Sequence, residues 1–187
     1  GQIRQYHLNE LLGTGRHGET WLAWDDALQR PVVIKFLLEE MAWDQRFKEW
    51  YTARMDRLNR ASQPQLATFF CLDTLESRPF VVREYVDGQS LAKYLRERPM
   101  AYKPFLDIAC QIARGVKAAH NLDVALSNIS ANNVIIRPNR QVKLVDIGLP
   151  WDPDNVSTEP EVVRAAHYRS PEQMMGAPIE LSSDLFS

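Results

Sequence analysis

The sequence predicts an α+β protein in which strands dominate the first part of the chain and helices the second. Two observations lead to this class. Apolar, β-branched runs such as Pro31–Leu37 occur in the first part, and apolar residues recur at spacings of three and four between Phe105 and His120. The change falls near the turn signal Asp87-Gly88. We therefore expect two lobes, 1–86 and 87–187.

Composition limits the classes of function. The chain has 187 residues, of which 45% are apolar and 25% charged, as in ordinary soluble domains. A net charge of −2 gives no electrostatic case for binding nucleic acid or a membrane surface. No apolar run approaches the roughly 18 residues of a membrane helix. Cys71 and Cys110 lie in apolar contexts, which predicts buried thiols in a reducing cytoplasm.

The elements of the first lobe follow in order. The predicted strands are Tyr6–Leu12, Thr20–Trp24, Pro31–Leu37, Ala67–Leu72 and Phe80–Tyr85. A helix is expected over Asp44–Arg60, because apolar residues from Phe47 to Leu58 recur at helical spacing and Pro64 ends the pattern.

The second lobe is expected to be more helical. The predicted helices are Leu91–Arg98 and Phe105–His120. Two short β-branched runs follow, Asn133–Ile136 and Gln141–Val145, joined by a turn at Pro138-Asn139-Arg140. The prolines after Asp146 indicate loop structure as far as Glu172.

Gly13, Gly15 and Gly18 form a Gly-x-Gly-x-x-Gly pattern between two predicted strands. Dinucleotide-binding folds place this pattern before a helix, whereas here Thr20–Trp24 continues as a strand. The pattern therefore indicates a strand-turn-strand flap whose backbone N–H groups can approach phosphate oxygens. A plain glycine hairpin without a ligand is the alternative.

Lys35 ends the next predicted strand, Val32-Val33-Ile34-Lys35. A lysine at a strand end is often a solvated edge charge. With a glycine flap before it, Lys35 resembles the strand lysine of protein kinases, and this resemblance implies a cation that holds phosphates.

Four later segments carry a family resemblance. They are Arg83–Gly88, Val142–Gly148, Tyr168–Gln173 and Ser183–Ser187. In this order they look like the hinge, the strand into the metal-binding Asp-Phe-Gly, the end of the activation segment and the start of the central large-lobe helix of a kinase. Together with the glycine flap, they cover essentially the whole chain. The chain thus resembles a Hanks-type Ser/Thr protein kinase of the bacterial kind, truncated at the start of that central helix.

The resemblance implies a bilobal kinase-like fold, with an antiparallel five-stranded sheet and one long helix in the first lobe and a partial, mainly helical second lobe. It places the hinge near 84–88, the catalytic loop at 126–133 and the activation segment at 146–172. ATP and Mg²⁺ become possible cofactors. The implied nucleotide-binding residues are Gly13, Gly15, Gly18, Lys35, Val33, Arg83, Glu84 and Val86. The implied metal ligands are Asn133 and Asp146, for which a role as hydrogen-bonding loop residues is the alternative.

The catalytic loop departs from the family's pattern. Alignment on Asn133 puts Asn128 at the position of the catalytic Asp, and an amide cannot act as a general base. Ser130 stands at the position of the lysine that neutralises the transferring phosphoryl group. Ala165 replaces an activation-segment threonine that bonds to both. These three groups work as one cluster, and all three are lost.

The nucleotide pocket also departs from the pattern. Val33 stands where a small alanine is usual under the adenine, and Arg83 falls at the back of the pocket. A buried arginine needs an acid such as Asp146; otherwise its side chain must extend to solvent. Tyr51 occupies the place of the helix glutamate that would pair with Lys35. Glu49 lies about 200° round the helix from it and faces away unless the register shifts.

These losses predict a pseudokinase, which is a regulatory, partner-binding module within a larger signalling protein. The alternative is an active or weakly active ATP-dependent Ser/Thr kinase, because phosphoryl transfer depends mostly on positioning and electrostatics. A purely structural domain of an assembly is a third reading. The expected partners are proteins or further domains of a longer chain, and neither a nucleic acid nor a membrane segment is expected.

Overall fold

A computed structural model describes residues 1–15, 18–37, 45–97, 99–149, 167–177 and 179–187. The chain divides into two compact units. The first unit comprises Gly1–Asp56 and Thr68–Tyr85, and the second comprises Arg57–Ala67 and Val86–Ser187.

The first unit is built on one antiparallel sheet in the order β1-β2-β3-β4-β6-β5. Its strands are β1 (Gln2–Ile3), β2 (Tyr6–Gly15), β3 (Gly18–Asp25), β4 (Arg30–Phe36), β5 (Phe69–Leu75) and β6 (Arg78–Glu84). The five strands predicted from the sequence are present, and the two-residue β1 is added at one edge. Helix α1 covers Gln45–Arg60, close to the predicted span.

Strand β4 is the centre of this sheet, and its residues from Val32 to Phe36 are all buried. Because side chains alternate along a strand, Val32, Ile34 and Phe36 share one face, where they join a core with Phe80 and other residues. Val33 and Lys35 point to the opposite face. The alternation therefore places two of the predicted nucleotide-binding residues side by side on one surface.

The second unit contains a small antiparallel sheet in the order β7-β8-β9. Its strands are β7 (Gln89–Ser90), β8 (Val134–Ile136) and β9 (Val142–Leu144). The helices described in this unit are α2 (Leu91–Glu97), α3 (Tyr102–His120), α4 (Pro171–Met174) and α5 (Ser183–Phe186). Strand β7 was not predicted, because two residues are too few to show a periodic pattern.

Residues 57–67 belong to the second unit. The sequence predicts one division of the chain, after residue 86, and does not separate this segment from the first lobe. Leu66 forms a parallel bridge with Leu144 of β9, and the amide of Ala67 donates to the Leu144 carbonyl at 2.9 Å. A side chain at Gly115 of α3 would lie 3.1 Å from the Gln65 Cβ. These contacts join residues far apart in the sequence, so local patterns could not reveal them.

The two cysteines are free thiols. Cys71 is half-buried and within 4.0 Å of the Tyr6 hydroxyl, and burial raises the pKa of both groups. The prediction of two buried thiols is wrong for Cys110, which is exposed on α3. Ile108, Ala109 and Ile112 near it are apolar, but the helix turns Cys110 outward. Among the described helices, none is both long and apolar enough to cross a membrane.

Candidate functional site

The glycine flap is the hairpin of β2 and β3, and Gly15 pairs with Gly18 at its end. The predicted strand-turn-strand context is therefore confirmed. Gly18 has a φ of 118°, and a Cβ there would lie 2.0 Å from the Phe36 carbonyl oxygen, so the fold itself requires glycine. Within the described part of the chain, and apart from each glycine and its chain neighbours, no heavy atom lies within 4 Å of a Cβ built on Gly13 or Gly15. Packing does not require these two glycines, which is consistent with a surface that a phosphate can approach.

Lys35 lies in the interior strand β4, between Thr20 of β3 and Val81 of β6. Only 8% of the residue is exposed. A solvated edge charge is therefore excluded, because the ammonium group belongs to a buried residue. Val33, on the same face of β4, is 1% exposed.

The predicted hinge begins with Arg83 and Glu84 at the end of β6. Nη1 of Arg83 donates a hydrogen bond of 3.0 Å to the backbone carbonyl of Glu84. Glu84 is tied to Thr68, since its amide donates to the Thr68 carbonyl at 2.8 Å and its carboxylate accepts from the Thr68 amide at 3.0 Å. The half-buried Arg83 thus bonds to one of the hinge's own acceptors.

Helix α1 carries a buried aromatic ring, Tyr51, at the position that the sequence predicts for the family's glutamate. Tyr51 is 2% exposed, stacks on Phe47 with ring centroids 5.9 Å apart, and meets Phe69 edge-on at 5.7 Å. Glu49 is exposed and accepts a hydrogen bond from Gln45 Nε2 at 2.8 Å. The prediction that the Glu49 side chain faces away from the buried side of the helix is confirmed, because the residue is exposed and no shift of helical register buries it.

In the second unit, the catalytic-loop segment is anchored by Asp184 of α5, whose side chain is fully buried. Its carboxylate accepts hydrogen bonds from the amides of Leu126 at 2.6 Å and Ser127 at 2.7 Å. Nε2 of His120 lies 2.9 Å from the same carboxylate. Hydrogen bonds to a charged group contribute about 1.5–3 kcal/mol each, so this carboxylate fixes the start of the loop. Sequence reasoning gave neither Asp184 nor His120 this role.

Asn128 is 6% exposed, and hydrogen bonds engage both ends of its amide. Its Oδ1 accepts from Nη2 of Arg169 at 3.2 Å, and its Nδ2 donates to the Asp146 carbonyl at 3.1 Å. Asn128, at the position predicted for the family's proton acceptor, therefore links three segments through its amide.

Arg169 and Gln173 also bind the loop's backbone. Arg169 Nη1 donates to the Ser127 carbonyl at 2.8 Å, and Gln173 Nε2 donates to the same oxygen at 3.1 Å. Burial lowers the pKa of Arg169 to about 10, so the guanidinium stays charged at neutral pH. Sequence reasoning missed both residues as site residues, because their target lies more than forty positions away.

A backbone hydrogen bond brings the predicted metal ligands Asn133 and Asp146 into adjacent segments. The Val145 amide donates to the Asn133 carbonyl at 2.9 Å, and Asp146 follows with a φ of 55°. Asn133 Nδ2 donates to the Asn128 carbonyl at 2.9 Å, which leaves the amide oxygen as the end suited to a cation. Mg²⁺ is commonly held by one or two such oxygen ligands together with waters and substrate phosphates. The residues present therefore fit Mg²⁺ bound with a nucleotide.

The described residues contain no group of three or more His, Cys, Asp or Glu side chains that could hold a metal by themselves. Ser130 is half-buried, and its carbonyl accepts the Asn133 amide at 2.9 Å. A serine there provides no cation for a phosphoryl group. Ala165, the third predicted substitution in the catalytic cluster, lies outside the described residues.

Residues 6–187 match the protein kinase domain family. The chain belongs to this family. It is 26% identical over 186 residues to a probable serine/threonine-protein kinase of Clostridium acetobutylicum, covering 98% of this chain and 28% of that protein. It is 29% identical to PknB of Mycolicibacterium smegmatis, covering 98% of this chain and 31% of PknB. The resemblance to bacterial Ser/Thr kinases is thus confirmed.

The solved structures agree on the fold. The kinase domain of Mycobacterium tuberculosis PknI superposes with a TM-score of 0.73 at 20% identity, covering 96% of this chain and 67% of that one. PknA of the same species is 30% identical, and the matched part makes up 44% of its length. The chain spans less than half the length of these curated relatives.

Proposed function

We propose that this kinase domain acts as a pseudokinase, a regulatory and partner-binding module of a larger signalling protein with little or no phosphotransfer. The observation that carries the proposal is the state of Asn128. Its amide oxygen accepts from Arg169 and its amide nitrogen donates to the Asp146 carbonyl. The residue at the position of the base is therefore held by two hydrogen bonds and has no basic group to offer a substrate hydroxyl.

ATP with Mg²⁺ is the proposed ligand of the nucleotide-binding residues, at reduced affinity. Lys35, Asn133 and Asp146 would hold the phosphates and the metal, and ATP would supply the phosphoryl group. Arg83 weakens this binding, because its guanidinium donates to the Glu84 carbonyl, an acceptor that could otherwise meet a donor on the base. The buried Val33 adds bulk on the same face of β4 as Lys35.

A weakly active Ser/Thr kinase is the second candidate function. The buried Lys35 and the oxygen pair of Asn133 and Asp146 favour it, as does the kinase function named for the relatives. Positioning and charge stabilisation account for most of the catalysis of phosphoryl transfer, so a site without its base can retain a slow reaction.

Two measurements on the chain separate the candidates. A thermal shift with ATP and Mg²⁺ reports binding, since a ligand at concentration [L] stabilises by RT ln(1 + [L]/Kd). Transfer of labelled phosphate to the chain or to a general protein substrate reports catalysis. The pseudokinase proposal expects no transfer above that of the Lys35→Met variant. The pseudokinase proposal is refuted if the chain transfers phosphate, Lys35→Met abolishes this transfer, and the exposed-site control Lys103→Met retains it.

The partners and the compartment are proposals of the same kind. Further domains of a longer chain or a separate protein would receive the signal. The free thiols Cys71 and Cys110 are consistent with a reducing cytoplasm.

A further inference from the structure

The second unit contains an open cavity of about 830 Å³ whose lining includes none of the predicted nucleotide-binding, catalytic or metal-binding residues. One wall is formed by α3, and another is the turn that joins β8 to β9. The chain around β7 and Tyr94 of α2 complete the lining. A concave surface of this size can enclose several side chains of a bound molecule.

The rim of this cavity is strongly basic. It carries Arg114 of α3 with Arg137 and Arg140 of the β8–β9 turn, against one carboxylate, Asp107. Three positive charges and one negative charge leave a local balance of +2, although the whole chain has a net charge of −2. Arg114 and Arg140 are exposed, so their guanidinium groups can meet a ligand. The charge selects for an acidic occupant.

The floor of the cavity is apolar. Ile108 of α3 and Ile136 of β8 are 7% and 8% exposed, and Pro104 adds an apolar side chain beside them. An apolar floor below a ring of arginines suits a molecule with apolar and carboxylate groups on one chain. Its apolar side chains can contact the floor, while arginine binds carboxylates through two parallel hydrogen bonds.

The walls are fixed in place by Gln111. Its Nε2 donates to the Arg140 carbonyl at 3.0 Å, and its Oε1 accepts from the Val142 amide at 2.9 Å. Arg140 adopts a φ of 64°, a left-handed conformation that arginine rarely adopts. The clamp therefore holds a strained turn against α3. A turn whose backbone is already held in this way loses little backbone freedom when the groove binds a ligand.

We propose that this cavity, which we call the basic groove, docks an acidic, amphipathic segment of a partner polypeptide. The inference gives the partner-binding role proposed above a location and rests on that role. It concerns neither nucleotide nor phosphotransfer, so binding at the groove and the loss of catalysis can be refuted separately.

The test uses a fluorescein-labelled peptide of four Leu-Glu repeats and a matched peptide with Gln in place of Glu. We expect the acidic peptide to raise the fluorescence anisotropy on binding to the chain, with affinity that falls as salt rises. The matched Gln peptide should bind at least tenfold more weakly. Arg114→Glu and Arg140→Glu should each weaken binding of the acidic peptide by tenfold or more. Arg96→Glu, the same charge change at an exposed site outside the groove, should keep the affinity within twofold.

Cys110 locates the peptide, because this exposed thiol lines the groove. We expect the acidic peptide to slow alkylation of Cys110 by N-ethylmaleimide and to leave the rate at the half-buried Cys71 unchanged. Three outcomes would each overturn the proposal. The two peptides could bind equally, the acidic peptide could bind undiminished to both Arg114→Glu and Arg140→Glu, or the alkylation rate of Cys110 could stay unchanged. If inorganic pyrophosphate at the same concentration protects Cys110 from alkylation equally well, the occupant is a small anion and the proposed polypeptide is overturned.

Discussion

Arg169 donates a hydrogen bond of 3.2 Å from Nη2 to the side-chain oxygen of Asn128, and both residues are only 6% exposed. The two residues come from the end of the activation segment and from the catalytic loop. In this chain, a buried cation therefore binds the amide that the sequence predicts to stand at the position of the catalytic base. The link joins two segments whose bonded residues lie 41 positions apart in the sequence.

The Arg169–Asn128 link should appear as a coupling energy. We expect Asn128→Ala and Arg169→Met each to lower the free energy of unfolding by about 1–3 kcal/mol, because each leaves buried polar groups unsatisfied. The double variant should lose less than the sum, by about 0.5 kcal/mol or more, as for residues in contact. Urea unfolding measures all three. As a control, Asn128→Ala combined with Arg96→Met at an exposed site should change the free energy of unfolding by the sum of the two single changes. If the Asn128→Ala and Arg169→Met changes also add up in full, the link is contradicted.

Arg83 should limit nucleotide affinity. We expect Arg83→Met to tighten binding of ATP with Mg²⁺ by about two- to tenfold, because it releases the Glu84 carbonyl and one net hydrogen bond is worth about 0.5–1.5 kcal/mol. Isothermal titration calorimetry or the thermal shift measures this change. Arg46→Met, at an exposed position on α1, is the matched control and should leave affinity unchanged. Weaker binding by Arg83→Met would show that this guanidinium assists the nucleotide.

The glycines of the flap should separate into two kinds. Gly18→Ala should destabilise the chain by about 2 kcal/mol or more, because alanine at a φ of 118° is strained and its Cβ meets the Phe36 carbonyl. Gly13→Ala should change the free energy of unfolding by less than about 0.5 kcal/mol, because the added methyl enters open space. Thermal or urea unfolding compares the pair. A large loss for Gly13→Ala would show that packing requires this glycine too.

Glu172 should titrate below its ordinary range. A hydrogen bond from the Ser183 hydroxyl is the largest cause that lowers the pKa of this carboxyl from 4.5, and bonds involving its own backbone and Ser170 add to it. The pKa is therefore lower in the folded state. Stability from this group is present above pH 4.5 and is lost as the pH falls through the folded pKa.

Ser183→Ala should move the pKa of Glu172 back toward 4.5 and flatten that acid dependence. Carbon-13 NMR titration of the glutamate carboxyls follows the shift, and Glu172→Gln assigns the resonance. Ser182→Ala, at the exposed neighbouring serine, is the matched control and should leave the pKa of Glu172 in place. An unchanged pKa in Ser183→Ala would remove the hydroxyl as the cause.

The sequence by itself determined the parts of the molecule that depend on near neighbours. Periods of two and of 3.6 residues gave the strands of the first unit and helices α1 and α3 to within a few residues. The Gly-x-Gly-x-x-Gly spacing, followed by a strand and not by a helix, predicted the strand-turn-strand flap. The substitutions at Asn128 and Ser130 were visible, because their neighbours along the chain supply the register.

Only the tertiary structure decided what those residues touch. Arg169 reaches Asn128 from 41 positions away, and Asp184 reaches Leu126 from 58. The grouping of 57–67 with β9, and the arginines gathered round the basic groove, also depend on packing between distant segments. No local period encodes such contacts, since they form only when separate elements bury their faces against one another. The sequence therefore placed an amide, Asn128, where the resemblance predicts the catalytic base, and the fold showed which groups that amide binds.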